Sequence, residues 1–225
     1  MRVLALVAGP VVWLAALVVR HLAVETAGFT EAERAAFDAE PFKAHEQLAA
    51  YARSPELVTA GYSLYTLASI LLCATVFVFA KEIGGRLAVV GGALFVASLF
   101  SRLHGTGIDL TAFEMVDSMG VEAATQFVLG SYVDLSYGFW RVTVTASAGA
   151  ILGVIVLAIA GWRAGKLGLV PCALLLSFGW MFLGILKEAS LEAIIHSGVV
   201  GVVLFGWWAV GGRSLVWGLR ERPHH

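Results

Sequence analysis

Six long apolar stretches limit what this chain can fold into. The hydrocarbon core of a bilayer, about 30 Å thick, takes roughly 20 residues of α-helix to cross, and the stretches lack the period-two alternation of a barrel strand. Only 14% of the 225 residues are charged and 59% are hydrophobic, whereas a soluble domain carries about 25% charged residues. The sequence therefore predicts one all-α integral membrane domain over residues 1–225, a polytopic transmembrane helix bundle of about six spans. The stretches cover residues 3–19, 57–80, 87–103, 138–161, 167–186 and 191–210.

The charged residues orient this bundle. Fourteen of the sixteen acidic residues fall in segments that the six spans place on one side. The short connections on the other side, 81–86 and 161–166, are basic, as are Arg2 and the C-terminal tail. Because basic short loops stay in the cytoplasm, we expect a cell-membrane protein with cytoplasmic N- and C-termini. Residues 3–19 could alternatively be a cleaved signal peptide, which would leave five spans, but no clear small-x-small cleavage site follows them.

Two segments, 21–56 and 104–137, lie on the predicted outer side and contain most of the acidic residues. Thr30 followed by Glu33 has the pattern of a capping box, which predicts that a short helix begins there. In the second segment we expect Asp109 to cap another helix. Apolar residues on one side of these helices predict that they are amphipathic and lie on the membrane surface. Together the two segments are expected to form a lid over the bundle.

Small residues and cysteines add two limits. Gly149 and Gly153 form a small-xxx-small pair in the fourth stretch, which predicts a close approach of another helix. Cys73 and Cys172 lie inside apolar stretches, so they offer neither a disulfide framework nor a zinc knuckle.

The net charge of −1 argues against nucleic acid as a partner, because a basic surface is needed to neutralise phosphates.

Ionisable residues at membrane depth mark candidate sites, because a charge in lipid is costly and usually faces a bundle interior or an aqueous cavity. Glu188, Glu192 and His196 are spaced four residues apart, which puts them on one helical stripe. Ser190 is expected to cap the last helix, with Glu192 in its first turn. The structural alternative is that Glu192 only favours the helix start and that His196 bonds a neighbouring helix.

Two further groups lie near the same predicted boundary. Arg102, His104 and Asp109 follow one another at the outer end of the third stretch. Alternatively, Arg102 simply reaches the outer interface with its charged end. Asp134 and Arg141, seven residues apart at the start of the fourth stretch, share a face if both are helical. A structural ion pair is the simpler interpretation of those two.

Taken together, these residues predict a mixed histidine and carboxylate site that opens outward. His104, Glu192 and His196 are ligand types for zinc, manganese or iron. Alternatively, His104 and His196 would be the two axial ligands of a haem. No metalloprotease, nucleophile-elbow or Cys-x-x-Cys motif accompanies them in the sequence. The sequence therefore leaves the cofactor unknown.

The layout resembles a family of uncharacterised multi-pass bacterial membrane proteins that is defined as a domain of unknown function. The resemblance lies in an initial span followed by a long polar outer segment, in the basic connection 161–166 that leads to Leu169-Val170-Pro171, and in Arg102 at the end of the third stretch. It covers most of the chain in architecture. It implies a bacterial inner-membrane protein, and it carries no activity with it.

Three functional hypotheses follow from the sequence. The first is a membrane protein whose outward-facing polar cavity binds or conducts a small ligand or partner. The second is a membrane-embedded metal-dependent hydrolase or lipid-modifying enzyme that uses Glu188 or Glu192 as a general base. The third is a structural or regulatory subunit of a membrane complex or homo-oligomer, in which the polar groups hold helices together. The first is favoured, because enzymes of this size usually show a denser catalytic signature.

Overall fold

The computed structural model describes residues 1–40, 43–132, 146–180 and 190–211, and most of these residues are helical, with no strand among them. Four of the helices are long and apolar enough to cross a membrane: α1, α4, α5 and α9. The predicted fourth and fifth spans are described over α7 and α8, with 15 and 12 residues, and residues 138–145 and 181–186 of these spans lie outside the described residues. The helices are α1 (Arg2–Glu25), α2 (Glu31–Ala39), α3 (Ala44–Arg53), α4 (Pro55–Ile83), α5 (Gly85–Met119), α6 (Val121–Tyr132), α7 (Gly149–Arg163), α8 (Leu169–Trp180) and α9 (Leu191–Ala209).

Glycines bring α1 and α4 into close contact. A Cβ atom on Gly9 would lie 2.9 Å from the backbone nitrogen of Leu72, so only glycine fits at this crossing. Nearby, the Thr75 hydroxyl donates a hydrogen bond of 2.7 Å to the carbonyl oxygen of Ala5. A hydrogen bond between helices stabilises their packing where no water competes for the donor.

The predicted approach of a helix at Gly149 and Gly153 is confirmed. A Cβ atom on Gly153 would lie 2.8 Å from the carbonyl oxygen of Gly91, and one on Gly149 would lie 2.4 Å from that of Leu94. The partner helix is therefore α5. On α9, a Cβ atom on Gly201 would meet the Phe178 ring at 2.8 Å. Close backbone contact thus holds α5 to α7, and the backbone of α9 at Gly201 packs against the Phe178 ring of α8.

The third span was expected to end near residue 103, with a separate helix capped by Asp109 after it. Helix α5 shows that this expectation is wrong. It runs without a break for 35 residues from Gly85 to Met119, about 52 Å at 1.5 Å per residue. Asp109 lies in its interior and does not cap a new helix. The helix continues past Gly105 and Gly107 because one side of this region is buried, and tertiary packing overrides the cost of about 1 kcal/mol for each helical glycine.

The length of α5 gives the protein two apolar cores. One core lies between the long helices, and the second forms where α2, α3 and α6 pack around the ends of α1, α4 and α5. We call this second unit the cap and its side of the molecule the cap end. Tyr51 of α3 stacks on Phe113 of α5 with ring centroids 4.5 Å apart. The apolar side of α2 and α3 was expected to place these helices on the membrane surface, but its residues Phe37, Leu48 and Tyr51 are buried in the cap.

Polar contacts fix α2 and α3 in the cap. The capping box is confirmed: the Glu33 backbone donates to the Thr30 hydroxyl, and the Thr30 backbone donates to the Glu33 carboxylate at 2.8 Å. Arg53 at the end of α3 donates to the same Glu33 carboxylate and, at 3.1 Å, to the carbonyl oxygen of Ala27. Its guanidinium lies 4.4 Å from the centroid of the Phe29 ring. The turn between α1 and α2 is therefore held by α3.

The opposite end of the bundle, which we call the basic end, collects Arg2 and the connections 81–86 and 161–166. Arg2 forms an ion pair with Glu82, and the Trp208 indole donates to the same carboxylate at 2.6 Å. Lys166 donates to the carbonyl oxygen of Glu82 at 2.6 Å. The start of α1, the end of α4 and the end of α9 therefore meet here. Arg2 and the basic residues of the two connections, which predicted the cytoplasmic side, lie at this end, and the C-terminal tail lies outside the described residues.

Candidate functional site

A polar level crosses the bundle well away from the basic end. Arg20 lies 18 residues after Arg2 on α1, Tyr65 lies 18 residues before Ile83 on α4, and Arg102 lies 17 residues after Gly85 on α5. At 1.5 Å per residue, all three are about 26 to 27 Å along their helices from the basic end. Three helices therefore present polar side chains at the same height.

Arg20 is the centre of this level. Its side chain is buried, with a relative exposure of 3%. The guanidinium carbon lies 4.8 Å from the ring centroid of Tyr62 and 5.3 Å from that of Tyr65, which is cation–π geometry. Gly61 makes the space, since a Cβ atom there would lie 2.7 Å from Cγ of Arg20. Helix α4 thus supplies both the gap for the arginine stem and the rings under its charge.

Gln47 of α3 connects the cap to this arginine. Its side-chain oxygen accepts a hydrogen bond of 3.1 Å from Nη2 of Arg20 and a short one from the Tyr62 hydroxyl. An amide oxygen has two lone pairs, so both are used by donors on the long helices. The position of α3 is therefore tied to Arg20 and Tyr62 by one atom.

Two of the residues singled out in the sequence lie on α5, one at this level and one beyond it. Arg102 donates a hydrogen bond of 2.8 Å from Nη1 to the Tyr65 hydroxyl. Asp109, two turns further along the same face, is buried and acts electrostatically on Tyr62. The structure thus brings these two together with four residues that the sequence analysis did not select. We call the set the polar cluster: Arg20, Gln47, Tyr62, Tyr65, Arg102 and Asp109.

A small cleft opens beside the polar cluster, between α1, α3 and α4. Its volume is about 10 Å³, room for about one water molecule. Four of the lining residues are apolar and three belong to the polar cluster. The cleft therefore has a polar end and apolar walls. It is lined by Arg20, Ala23, Val24, Gln47, Ala50, Val58 and Tyr62.

Ionisable groups of the cap flank the cleft. Glu46, next to Gln47 on α3, is half-buried, and this burial raises the pKa of its carboxyl although Lys43 lies 3.7 Å away. Tyr51 donates a hydrogen bond of 2.8 Å to Asp117. Burial and that hydrogen bond both raise the pKa of the Tyr51 phenol. The neutral forms of Glu46 and Tyr51 are therefore favoured by their surroundings.

The second group of sequence candidates lies on α9. Ser190 caps this helix, as expected, by accepting a hydrogen bond of 3.1 Å from the backbone of Ala193. Glu192 is exposed in the first turn. His196 lies in a π-helical turn over Ile194–Val199, and its Nδ1 is 2.9 Å from the Ser177 hydroxyl on α8. The next residue, Ser197, accepts a hydrogen bond of 2.7 Å from the Trp13 indole.

The remaining candidates are dispersed or undescribed. His104 is exposed on α5 and is not brought together with Glu192 and His196. Within 1–40, 43–132, 146–180 and 190–211, no three His, Cys, Asp or Glu side chains are grouped as metal ligands would be. The haem pairing of His104 with His196 stays a prediction. Asp134, Arg141 and Glu188 lie outside the described residues.

Comparison with known proteins adds no relative. The chain matches no family model, no curated protein and no solved structure.

One sequence signal for Arg20 was overlooked. The buried residues of α1 recur every three or four positions from Leu6 to Ala23, and Arg20 falls in this series. Such a stripe faces the protein interior. An arginine on it is therefore a better site candidate than one at the end of an apolar stretch. Gln47 carries no comparable signal.

Proposed function

We propose that this protein is an integral membrane protein of about six spans that binds a small ligand in the cleft beside Arg20. The cap would lie on the outer side and both termini in the cytoplasm, because the basic end has the charge that favours the cytoplasmic side. The cap helices α2 and α3 would then lie at the outer membrane surface. This arrangement agrees with the resemblance to the multi-pass bacterial family of unknown function.

The burial of Arg20 carries this proposal. A guanidinium that is 3% exposed has lost nearly all of its water, and a charge at membrane depth is kept mainly where it has a role. Replacing a buried polar group by a well-packed apolar one often leaves stability unchanged or improves it. A purely structural need would thus not require an arginine. Its place at the polar end of a cleft supports a role in binding.

Binding is favoured over conduction by what lies between the polar cluster and the basic end. Trp13, Leu17 and Leu72 are buried there, with exposures of 3%, 4% and 0%. They belong to the continuous apolar core of the long helices. Close-packed apolar side chains exclude water and ions. The cleft, which has room for about one water molecule, would therefore be a closed site that opens near the cap, where α3 would have to move away from α1 to admit a ligand.

The experiment compares what the protein retains when it is purified from its membrane. Val24→Trp would fill the cleft from α1, and Leu22→Trp is the matched control, because Leu22 is 46% exposed and does not line the cleft. Mass spectrometry of extracted small molecules should find a compound that is bound in comparable molar amount to wild type and Leu22→Trp and is depleted from Val24→Trp. Identical contents in all three proteins would contradict the proposal.

A membrane-embedded hydrolase is the second candidate, and one observation favours it. The Ser177 hydroxyl lies 2.9 Å from Nδ1 of His196, a distance at which a histidine takes a proton from a serine nucleophile. A fluorophosphonate probe would label the protein if Ser177 is activated in this way, and Ser177→Ala would abolish the labelling. Equal labelling of wild type and variant, or none of either, would leave the pair as a contact between α8 and α9.

A further inference from the structure

A strongly positive surface lies at the basic end, far from the cleft. Arg2 and the connections 81–86 and 161–166 carry five lysines and arginines against one acidic residue, Glu82, so their formal charge is +4. The cap segment 21–56, by contrast, carries seven acidic residues against three lysines and arginines. The two ends of the bundle therefore attract partners of opposite charge.

The acidic residue of the basic end is engaged within it. The Glu82 carboxylate pairs with Arg2 and accepts a hydrogen bond of 2.6 Å from the Trp208 indole, and its side chain is only 16% exposed. The Glu82 carbonyl oxygen accepts a hydrogen bond of 2.6 Å from Lys166, which brings the two basic connections together. Glu82 therefore holds helix ends in place and leaves the other basic residues of the surface uncompensated.

Three basic residues of this end face outward. Lys81, Arg86 and Arg163 are exposed, and none of them forms an ion pair with another residue in the described part of the chain. Trp162, which precedes Arg163, is 56% exposed, and tryptophan is enriched where a protein crosses the membrane–water interface. These three charges can therefore reach a partner at the membrane surface.

Each of the three exposed charges has an exposed apolar residue on the same side of its helix. The apolar residue lies four positions away, one turn toward the middle of the bundle, and residues at this spacing are neighbours on a helix surface. The apolar partners are 45% to 67% exposed. The pairs are Lys81 with Phe77 on α4, Arg86 with Val90 on α5, and Arg163 with Ile159 on α7.

This repeated pair matches the two parts of a phospholipid. A phosphate at the membrane boundary would meet the basic side chain, and the acyl chain attached to it would run along the apolar residue one turn deeper. Basic residues close to a membrane attract anionic lipids, by about fivefold in affinity for each lysine or arginine. A zwitterionic head group has no net charge to gain from a surface of +4.

From these observations we propose that the basic end binds anionic phospholipids of the leaflet around it. Their head groups contact Lys81, Arg86 and Arg163, and their acyl chains lie on the apolar residue one turn deeper on each helix. The inference shares the membrane location with the proposed function but does not involve the cleft. It gives the exposed charges a role in the inserted protein, beyond orienting it during insertion.

The test counts the lipids that the full-length protein retains in a non-ionic detergent. Dioleoyl phosphatidylglycerol and dioleoyl phosphatidylcholine are added at equal concentration, and native mass spectrometry measures how much of each stays bound. Glycerol 1-phosphate is added as a soluble anion without acyl chains. Because sidedness is lost in detergent, the result does not depend on how a variant inserts.

The variants separate charge from position. Lys81→Gln, Arg86→Gln and Arg163→Gln remove the exposed charges singly and together, and Lys81→Arg, Arg86→Lys and Arg163→Lys together keep them. Arg34→Gln is the control, because it removes an arginine from the cap end. Exposed charges contribute little to stability, so the circular dichroism of all these proteins should match wild type.

We expect wild type and Arg34→Gln to retain at least tenfold more phosphatidylglycerol than phosphatidylcholine. Each single glutamine variant should lose phosphatidylglycerol about fivefold, and the combined variant should bind the two lipids alike. The variant that keeps the charges should stay within about twofold of wild type, because the attraction depends mainly on charge. Glycerol 1-phosphate at the lipid concentration should not compete.

Three results would overturn the inference. Equal retention of both lipids by wild type would mean that the exposed charges only orient the protein. An undiminished preference in the combined glutamine variant would place the anionic lipid elsewhere, and competition by glycerol 1-phosphate would show a site for a soluble anion. None of these results affects the cleft, which Val24→Trp and Leu22→Trp test separately. A protein that stays dissolved without detergent would contradict both proposals.

Discussion

Helix α1 carries an arginine near each end, and the two are held in different ways. Arg2 at the basic end has a side chain that is 43% exposed and pairs with the carboxylate of Glu82. Arg20 near the cap end is 3% exposed, bonds the amide oxygen of Gln47 and lies over two tyrosine rings. Arg2 thus joins helix ends at the basic end, whereas Arg20 forms the polar end of a cleft near the cap.

Exposure decides how much each arginine matters. Water and salt screen an exposed ion pair, so its contribution to stability is small. In a region of low dielectric, polar interactions are stronger and a group left without them is more costly. We therefore expect the basic end to tolerate loss of its arginine and the cap end not to. The following predictions test that difference.

The largest effect is expected when the two arginines are removed in turn. Arg20→Ala leaves a cavity and deprives Gln47 of a donor, so it should lower the free energy of unfolding by about 3 kcal/mol. Arg2→Ala should have a clearly smaller effect that shrinks further as salt is added. Unfolding of both variants in detergent, monitored by circular dichroism, measures the difference. An equal loss at both ends would show that burial does not separate them.

Gly61→Ala tests whether the gap beside Arg20 is required. The added Cβ would lie 2.7 Å from Cγ of Arg20, with the arginine backbone only 3.4 Å away, so the stem has little room to move. Overpacking of this kind costs about 1 to 3 kcal/mol. Gly107→Ala on α5 is the control, because nothing lies within 4 Å of its added atom.

The control should be neutral or slightly stabilising, since alanine favours a helix over glycine by about 1 kcal/mol. Thermal unfolding of both variants measures the effect. If Gly61→Ala behaves like Gly107→Ala, α1 and α4 adjust at this crossing, and Gly61 is not what positions Arg20.

Tyr62→Phe separates the hydroxyl from the ring. The variant keeps the ring under the Arg20 charge and loses the hydrogen bond to Gln47, so it should cost about 1 kcal/mol. Tyr51→Phe also removes one hydrogen bond, but to Asp117, which is exposed. Its effect should be less than that of Tyr62→Phe. The two midpoints of unfolding give the comparison, and the reverse order would contradict it.

Local features of the fold were predictable from the sequence because each depends on a few neighbouring residues. The capping box at Thr30 needs only Glu33, and the cap at Ser190 needs only the first turn of α9. The close approach at Gly153 follows from residue size. The continuity of α5 past Gly105 did not follow, because it depends on packing against other helices.

The polar cluster shows the same limit. Arg102 and Asp109 were selected because they interrupt an apolar region, and both belong to the cluster. Arg20 was overlooked although it continues the interior stripe of α1, and the gap at Gly61 that admits its side chain lies in another helix. Gln47 lies in a polar segment where nothing distinguishes it. A contact between distant segments is not visible in either of them alone.

The smallest expected effect concerns Glu46, beside the cluster on α3. Burial raises the pKa of its carboxyl above the ordinary value of 4.5, and Lys43 at 3.7 Å does not reverse this. Because the folded state holds this proton more tightly, its contribution to stability is present below that value and is lost as pH rises through the raised pKa. Glu46→Gln should therefore melt slightly higher than wild type at neutral pH, with the difference vanishing near pH 4.

For Glu33, in the same cap, the expected pH dependence of stability has the opposite sign. Hydrogen bonds from the Thr30 backbone and hydroxyl lower the pKa of its carboxyl, so its contribution is present above 4.5 and is lost as pH falls through the lowered pKa. Glu33→Gln should accordingly melt lower than wild type at neutral pH and approach it in acid. Melting curves of both variants from about pH 4 to pH 8 test the pair. Shifts of the same sign would mean that burial does not determine the ionisation of Glu46, and that the cap beside the cleft is as open to water as its outer surface.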